Sequence, residues 1–115
     1  MLRYVIFKNT ALALILGTSL SSYANAAGNP EAGHIKSPSC RFCHGENGIA
    51  QRSDYPNLQG QNEQYLINAM NAYRDNLRTG PMAAMMKAQL SSLNEQDIAD
   101  IAAYYAEMGK GKSGN

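Results

Sequence analysis

Two stretches of the chain repeat apolar residues at helical spacing. From Asn62, the apolar positions Tyr65, Leu66, Ala69, Met70, Tyr73 and Leu77 share one stripe, and Gly80-Pro81 stops the pattern. This predicts an amphipathic helix over roughly 62–78. The second stripe runs through Ile98, Ile101, Ala102, Tyr105 and Met108 towards Gly109. Its start is marked by Asn94, a capping residue, with Asp97 at the third helical position and Leu93 placed to pack on Ile98. Between the two helices, residues 79–92 read as a connection rich in methionine, with Met82, Met85 and Met86. Asn29-Pro30-Glu31 starts a shorter helix that leads towards Cys40, with Pro38 at its end or at a kink. Gly45 to Gly60 has no apolar period and is rich in Gly, Asn, Ser and Pro, so it reads as a long loop. A loop of that length inside a compact domain is expected to wrap something functional.

A third apolar run, Ala11-Leu12-Ala13-Leu14-Ile15-Leu16, lies behind Arg3 and Lys8 and ahead of Ala24-Asn25-Ala26. Basic start, short apolar run and A-x-A site together predict a secretory signal peptide over residues 1–26, cleaved after Ala26. A membrane anchor needs about 20 mostly apolar residues. This run is shorter, so an uncleaved anchor is the alternative and would change the address rather than the chemistry. Cleavage removes two of the ten basic residues and none of the nine acidic ones, leaving a net charge of −1. The mature chain therefore has no basic face for nucleic acid and no expected membrane span. Residues 27–109 form one expected domain, and 110–115 a flexible tail. A domain of that size buries only about 60–65% of its unfolded surface and often leans on a cofactor. With few β-branched residues, nothing in the composition asks for a sheet.

Both cysteines of the chain fall in Cys40-Arg41-Phe42-Cys43-His44. A C-x-x-C-H run is the attachment signature of a c-type haem: each thiol adds to one vinyl group while the adjacent histidine reaches the iron. A structural zinc site would need four ligands, yet His34 is the one other histidine and no second cysteine pair exists. A thioredoxin-like dithiol would need a βαβ context that the helical pattern denies. A disulfide would close a very small loop and leave His44 without a role. One covalent haem c per chain is the expectation, and it would supply much of the missing core.

The residue order also carries a family resemblance. The series runs from the signal peptide through a short helix with Gly33, C-x-x-C-H, Tyr55-Pro56-Asn57-Leu58-Gln59-Gly60-Gln61, a helix and a methionine-rich segment. It closes with Leu93-Asn94-Glu95-Gln96-Asp97-Ile98-Ala99-Asp100-Ile101-Ala102-Ala103-Tyr104-Tyr105. This resembles a bacterial class I c-type cytochrome of the short-chain periplasmic mono-haem type, similar to one domain of the di-haem periplasmic cytochromes, over about residues 28–108. The chain departs from the di-haem proteins in having one C-x-x-C-H. The resemblance implies an all-α class I cytochrome c fold, three to five helices around one haem, with first and last helices crossing at Gly33 and Tyr104. It implies the backbone carbonyl of Pro56 as partner of His44. It also implies a methionine as the second axial ligand to the iron, a soft thioether that holds the potential up. Members of the group place that ligand seven residues before the leucine preceding the last helix cap; counting back from Leu93 reaches Met86, with Met85 and Met82 as alternatives.

Phe42, Ile49, Leu58 and Tyr65 are candidates to line the haem, with ordinary core packing as the alternative for each. Arg52, Arg74 and Arg78 are candidates to pair with its carboxylates, with solvated surface positions as the alternative. His34 is expected to be solvated. The implied function is periplasmic transfer of single electrons, by a carrier and not an enzyme, and by a monomer. The implied partners are redox proteins: a membrane quinol-oxidising complex, a terminal oxidase or a periplasmic dehydrogenase. The competing functions are a haem subunit fixed on a larger dehydrogenase or oxidase complex, and an open-site haem enzyme or gas-binding protein.

Overall fold

The computed structural model describes residues 27–110; the expected signal peptide and residues 111–115 of the expected tail lie outside them. The order is α1 (Pro30–Lys36), α2 (Pro38–His44), α3 (Glu63–Arg74), α4 (Ala83–Leu90) and α5 (Glu95–Glu107), with no strand among the described residues. No described helix is long and apolar enough to cross a membrane.

Local chemistry accounts for the helix starts. The Asn29 side chain accepts from the Ala32 N–H, and Pro30 takes the first helical position, where it has no amide hydrogen to leave unpaired. Pro38 plays the same part for α2, so of the two expectations, an end or a kink, the end holds: α1 stops at Lys36 and a second short helix carries the cysteines. Asn62 caps α3 by accepting from Tyr65 N–H. At α5 the capping box is complete, with Asn94 Oδ1 accepting from Asp97 N at 2.9 Å and Asp97 Oδ2 accepting from Asn94 N at 3.0 Å.

Two expectations need correction. The helix expected over 62–78 stops at Arg74, because Asn76 adopts a left-handed conformation (φ 58°) and Leu77 N–H turns back to the Ala72 carbonyl at 2.8 Å. Leu77 therefore leaves the apolar stripe and is 77% exposed. The segment 79–92, expected as a connection, contains α4, and Met85 and Met86 lie on that helix with Met82 at its N-cap. Ala83, Ala84, Met85, Met86, Lys87, Ala88, Gln89 and Leu90 are all good helix formers, but they make no apolar stripe, so periodicity could not detect them.

The core sits where α1 and α3 pack on α5. Leu66, Ile101, Ala102 and Tyr105 form its buried centre. Helices α1 and α5 cross with backbone against backbone: a Cβ added at Gly33 would lie 2.0 Å from the Asp100 carbonyl oxygen and 2.7 Å from Tyr104 Cβ. Only glycine admits that approach. Lys36 Nζ then ties α1 to α5 through Asp97 (2.7 Å) and the buried Asp100 (2.6 Å). Burial alone would raise the Asp100 carboxyl, but hydrogen bonds from Lys36, the Asn29 amide and Gln96 outweigh it and hold it below the ordinary carboxylate range.

Candidate functional site

Helix α2 places Cys40 and Cys43 three residues apart, with His44 closing the helix. Three-residue spacing puts both thiols on one face. Both are free and half-buried, and burial pushes the Cys40 thiol above its ordinary range. After His44 the chain turns at Gly45 (φ 88°), where a Cβ would lie 1.8 Å from the Ile49 carbonyl oxygen. The following loop is shaped by its own backbone. The Gly48 carbonyl accepts from Leu58 N at 2.8 Å and Gln59 N at 3.0 Å, and Asn57 Oδ1 accepts from Ala50 N at 2.8 Å. Gly60 N donates to the Tyr105 carbonyl at 2.9 Å, which anchors the loop on α5.

That fold brings the Pro56 carbonyl oxygen to 2.8 Å from His44 Nδ1. A carbonyl only accepts, so Nδ1 carries the proton and the Nε2 lone pair is left for another partner. His44 is buried, which fixes the ring further.

Beside this wall lies a mostly apolar cavity of about 610 Å³, within the range of small-molecule and cofactor sites. Cys40, Cys43 and His44 line it from α2, and Pro56 and Leu58 from the loop. Leu66, Met70 and Tyr73 line it from α3, and Met82, Met85, Met86 and Leu90 from the α4 segment. Ile101 and Tyr105 close it from α5. One cavity therefore gathers both thiols, the histidine and all three candidate methionines. Met85 is 41% exposed, whereas Met82 and Met86 are half-buried. Phe42 and Tyr65 also border the cavity, with Phe42 91% exposed; Ile49 is not among the lining residues. His34 is exposed, its ring tilted against Tyr104 with centroids 5.3 Å apart.

Tyr105 was not singled out from sequence as a site residue, since it reads there as one more member of the helix stripe. It is 1% exposed, lines the cavity, and its hydroxyl has no hydrogen-bond partner among the described residues. Burial pushes that hydroxyl's pKa up, so it remains a proton donor in search of an acceptor. A mostly apolar cavity with two thiols, a ring nitrogen, a choice of thioethers and an orphaned hydroxyl fits a large, mainly apolar metallocofactor attached through sulfur. No group of three or more His, Cys, Asp or Glu side chains arranged to hold a metal occurs among the described residues, so the zinc reading has no ligand set there.

Of the three candidate arginines, the cavity has one. Arg52 pairs with Asp54 at 2.6 Å, and Arg74 bonds the Leu93 carbonyl at 3.0 Å and pairs with Glu95. Arg78 lines the cavity. The turn at Asn76 decides this, and spacing along the sequence does not reveal it.

The family model described as Cytochrome c matches residues 32–108. The chain is 40% identical over 95 residues to cytochrome c4 of Pseudomonas aeruginosa, covering 83% of this chain and 46% of that protein. It is 46% identical over 80 residues to cytochrome c-554(548) of Halomonas halodenitrificans, covering 70% of this chain and 96% of that protein. Its fold is similar to the crystal structure of reduced recombinant cytochrome c4 from Pseudomonas stutzeri, with a TM-score of 0.62, 22% identity, and 72% of this chain and 52% of that one covered. The chain thus spans about half the length of the cytochrome c4 proteins it matches.

Proposed function

Because this chain belongs to the cytochrome c family, we propose that it carries single electrons in the periplasm on one haem c, covalently held by Cys40 and Cys43, with His44 and Met86 as iron ligands. The observation that carries this reading is the cavity that gathers both thiols, the Pro56-bonded histidine and the three methionines. When bound, the haem supplies a one-electron ferric/ferrous couple.

The protein's own residues do the rest. Cys40 and Cys43 hold the group from adjacent turns of one short helix. The Pro56 carbonyl keeps His44 in one tautomer and one orientation, and a hydrogen-bonded imidazole is a better ligand. Leu58, Leu66 and Ile101 keep water away and so limit solvent reorganisation when charge changes. Met86, half-buried on α4, offers a soft thioether; Met85 and Met82 border the same cavity and are the alternatives. His44 and a methionine together would leave the iron no free position, which favours a carrier over an enzyme or gas binder that would take up small ligands. The domain is residues 27–109, exported as a monomer by the segment 1–26. Its partners are larger redox proteins: a quinol-oxidising complex, a terminal oxidase or a periplasmic dehydrogenase.

Mass spectrometry of the denatured protein tests the attachment. The expected mass is that of the chain from Ala27 plus one haem, and a bare-chain mass would refute it. Carbon monoxide added to the reduced protein tests the closed site, since prompt binding would move the assignment to an open-site protein.

A further inference from the structure

The cavity meets charged side chains at Lys36, Asp54 and Arg78. Lys36 is held by Asp97 and Asp100, at 2.7 and 2.6 Å, and Asp54 is held by Arg52. Arg78 forms no ion pair among the described residues. It is nonetheless firmly placed. The left-handed Asn76 and the bonds from Leu77 N and Arg78 N to the Ala72 carbonyl (2.8 and 3.3 Å) turn Leu77 outwards and leave Arg78 half-buried at the cavity. Its guanidinium carbon lies 5.1 Å from the Tyr73 ring centroid and 5.9 Å from that of Tyr65, and Nη2 donates to the Tyr65 hydroxyl at 3.1 Å. Both tyrosines line the same cavity. Aromatic faces stabilise the cation without neutralising it, and one bond to a hydroxyl leaves most of the five guanidinium N–H donors unspent. A cation fixed in this way beside an apolar cavity is a receptor for a buried anion, and a planar fork suits a carboxylate best.

We propose that Arg78 binds a carboxylate of the group the cavity holds, a haem propionate on the functional reading above, and that this ion pair raises the reduction potential. The proposal rests on that reading for the identity of the group. The sign follows from charge: reduction adds an electron, so a nearby cation favours the reduced state, and its removal leaves an unpaired carboxylate that favours the oxidised state. Arg52 and Arg74 are engaged elsewhere and do not line the cavity.

The test uses the haem-loaded full chain, with redox titration followed by absorbance and redox-difference infrared spectra in the carboxylate region. Arg78→Gln should lower the equilibrium constant for reduction about tenfold, the scale of one unit charge acting over about 10 Å at an effective dielectric near 20. Its carboxylate band should shift as well. Arg78→Lys keeps the charge and loses the fork, so it should recover most of the potential but not the band. It also carries the test if Arg78→Gln fails to accumulate, because an unchanged band in Arg78→Lys would overturn the proposal. Arg52→Gln should change neither. A haem-loaded Arg78→Gln protein with wild-type potential and band would overturn the Arg78 assignment alone, as would an equal drop in Arg52→Gln. A wild-type protein without covalent haem would overturn the carrier reading and this inference with it.

Discussion

At the α1/α5 crossing, backbone meets backbone, a lysine bridges two carboxylates, and Asp100 and Ala103 are almost wholly excluded from solvent. On the methionine side the packing is different. Helix α4 buries Leu90 alone, Met85 and Leu77 are exposed, and the apolar surface borders a cavity as well as α3. The crossing is a scaffold complete in protein atoms. The methionine side presents a wall whose second half is to be supplied by the cofactor, so the two regions should respond differently to loss of the cofactor, to overpacking and to acid.

Loss of attachment should have the largest effect. Cys40→Ala/Cys43→Ala removes both thioethers, and with them the filling of a large apolar cavity in a chain too small to offset it. Circular dichroism should show most of the helical signal gone. A well-folded, fully helical double variant would mean that the methionine side is as self-sufficient as the crossing. A smaller but still severe effect is expected from Gly33→Ala, where the new methyl meets a carbonyl oxygen at 2.0 Å and the helices must part. The expected cost is about 3 kcal/mol, the upper end for overpacking, seen as a fall in Tm of more than about 10 °C.

These two regions were unequally legible in the sequence. The helices of the crossing could be read closely: Asn94 and Asp97 announce α5, Asn29-Pro30 announces α1, and Ile101, Ala102 and Tyr105 keep helical period on the face of α5 that packs with Leu66 of α3. Cys40, Cys43 and His44 were legible for another reason, since their chemistry depends on spacing along one helix. Helix α4 was missed because its side chains face a cavity and a neighbouring helix without a single apolar stripe. The end of α3 was misplaced because one left-handed residue, Asn76, outweighs the stripe that would have carried the helix to Leu77. Tyr105 and Arg78 gain their roles from what the fold sets beside them, an orphaned hydroxyl in one case and two tyrosine faces in the other.

Acid sharpens the comparison from the side of the crossing. Hydrogen bonds from Lys36, the Asn29 amide and Gln96 hold the Asp100 carboxyl below its unfolded value of about 3.9. The carboxylate's contribution to stability is therefore present above about pH 4 and is lost as pH falls through the folded value. Asp100→Asn should lower Tm at pH 7 and flatten the decline of Tm between pH 5 and pH 3, measured by thermal melts of the haem-loaded protein. Equal slopes for wild type and variant would remove Asp100 from the account of acid stability.

The most direct test of the carrier assignment lies on the other side, in the far-red absorption of the oxidised protein. A methionine sulfur bound to ferric iron gives a weak band there, and Met86→Ala should abolish it, lower the potential and open the reduced iron to carbon monoxide. Met82→Ala and Met85→Ala should keep the band. If it disappears instead with Met85→Ala or Met82→Ala, the ligand is reassigned along the α4 segment and the carrier reading stands. A wild-type protein that lacks the band and binds carbon monoxide at once on reduction would contradict the central claim, because its site would be open.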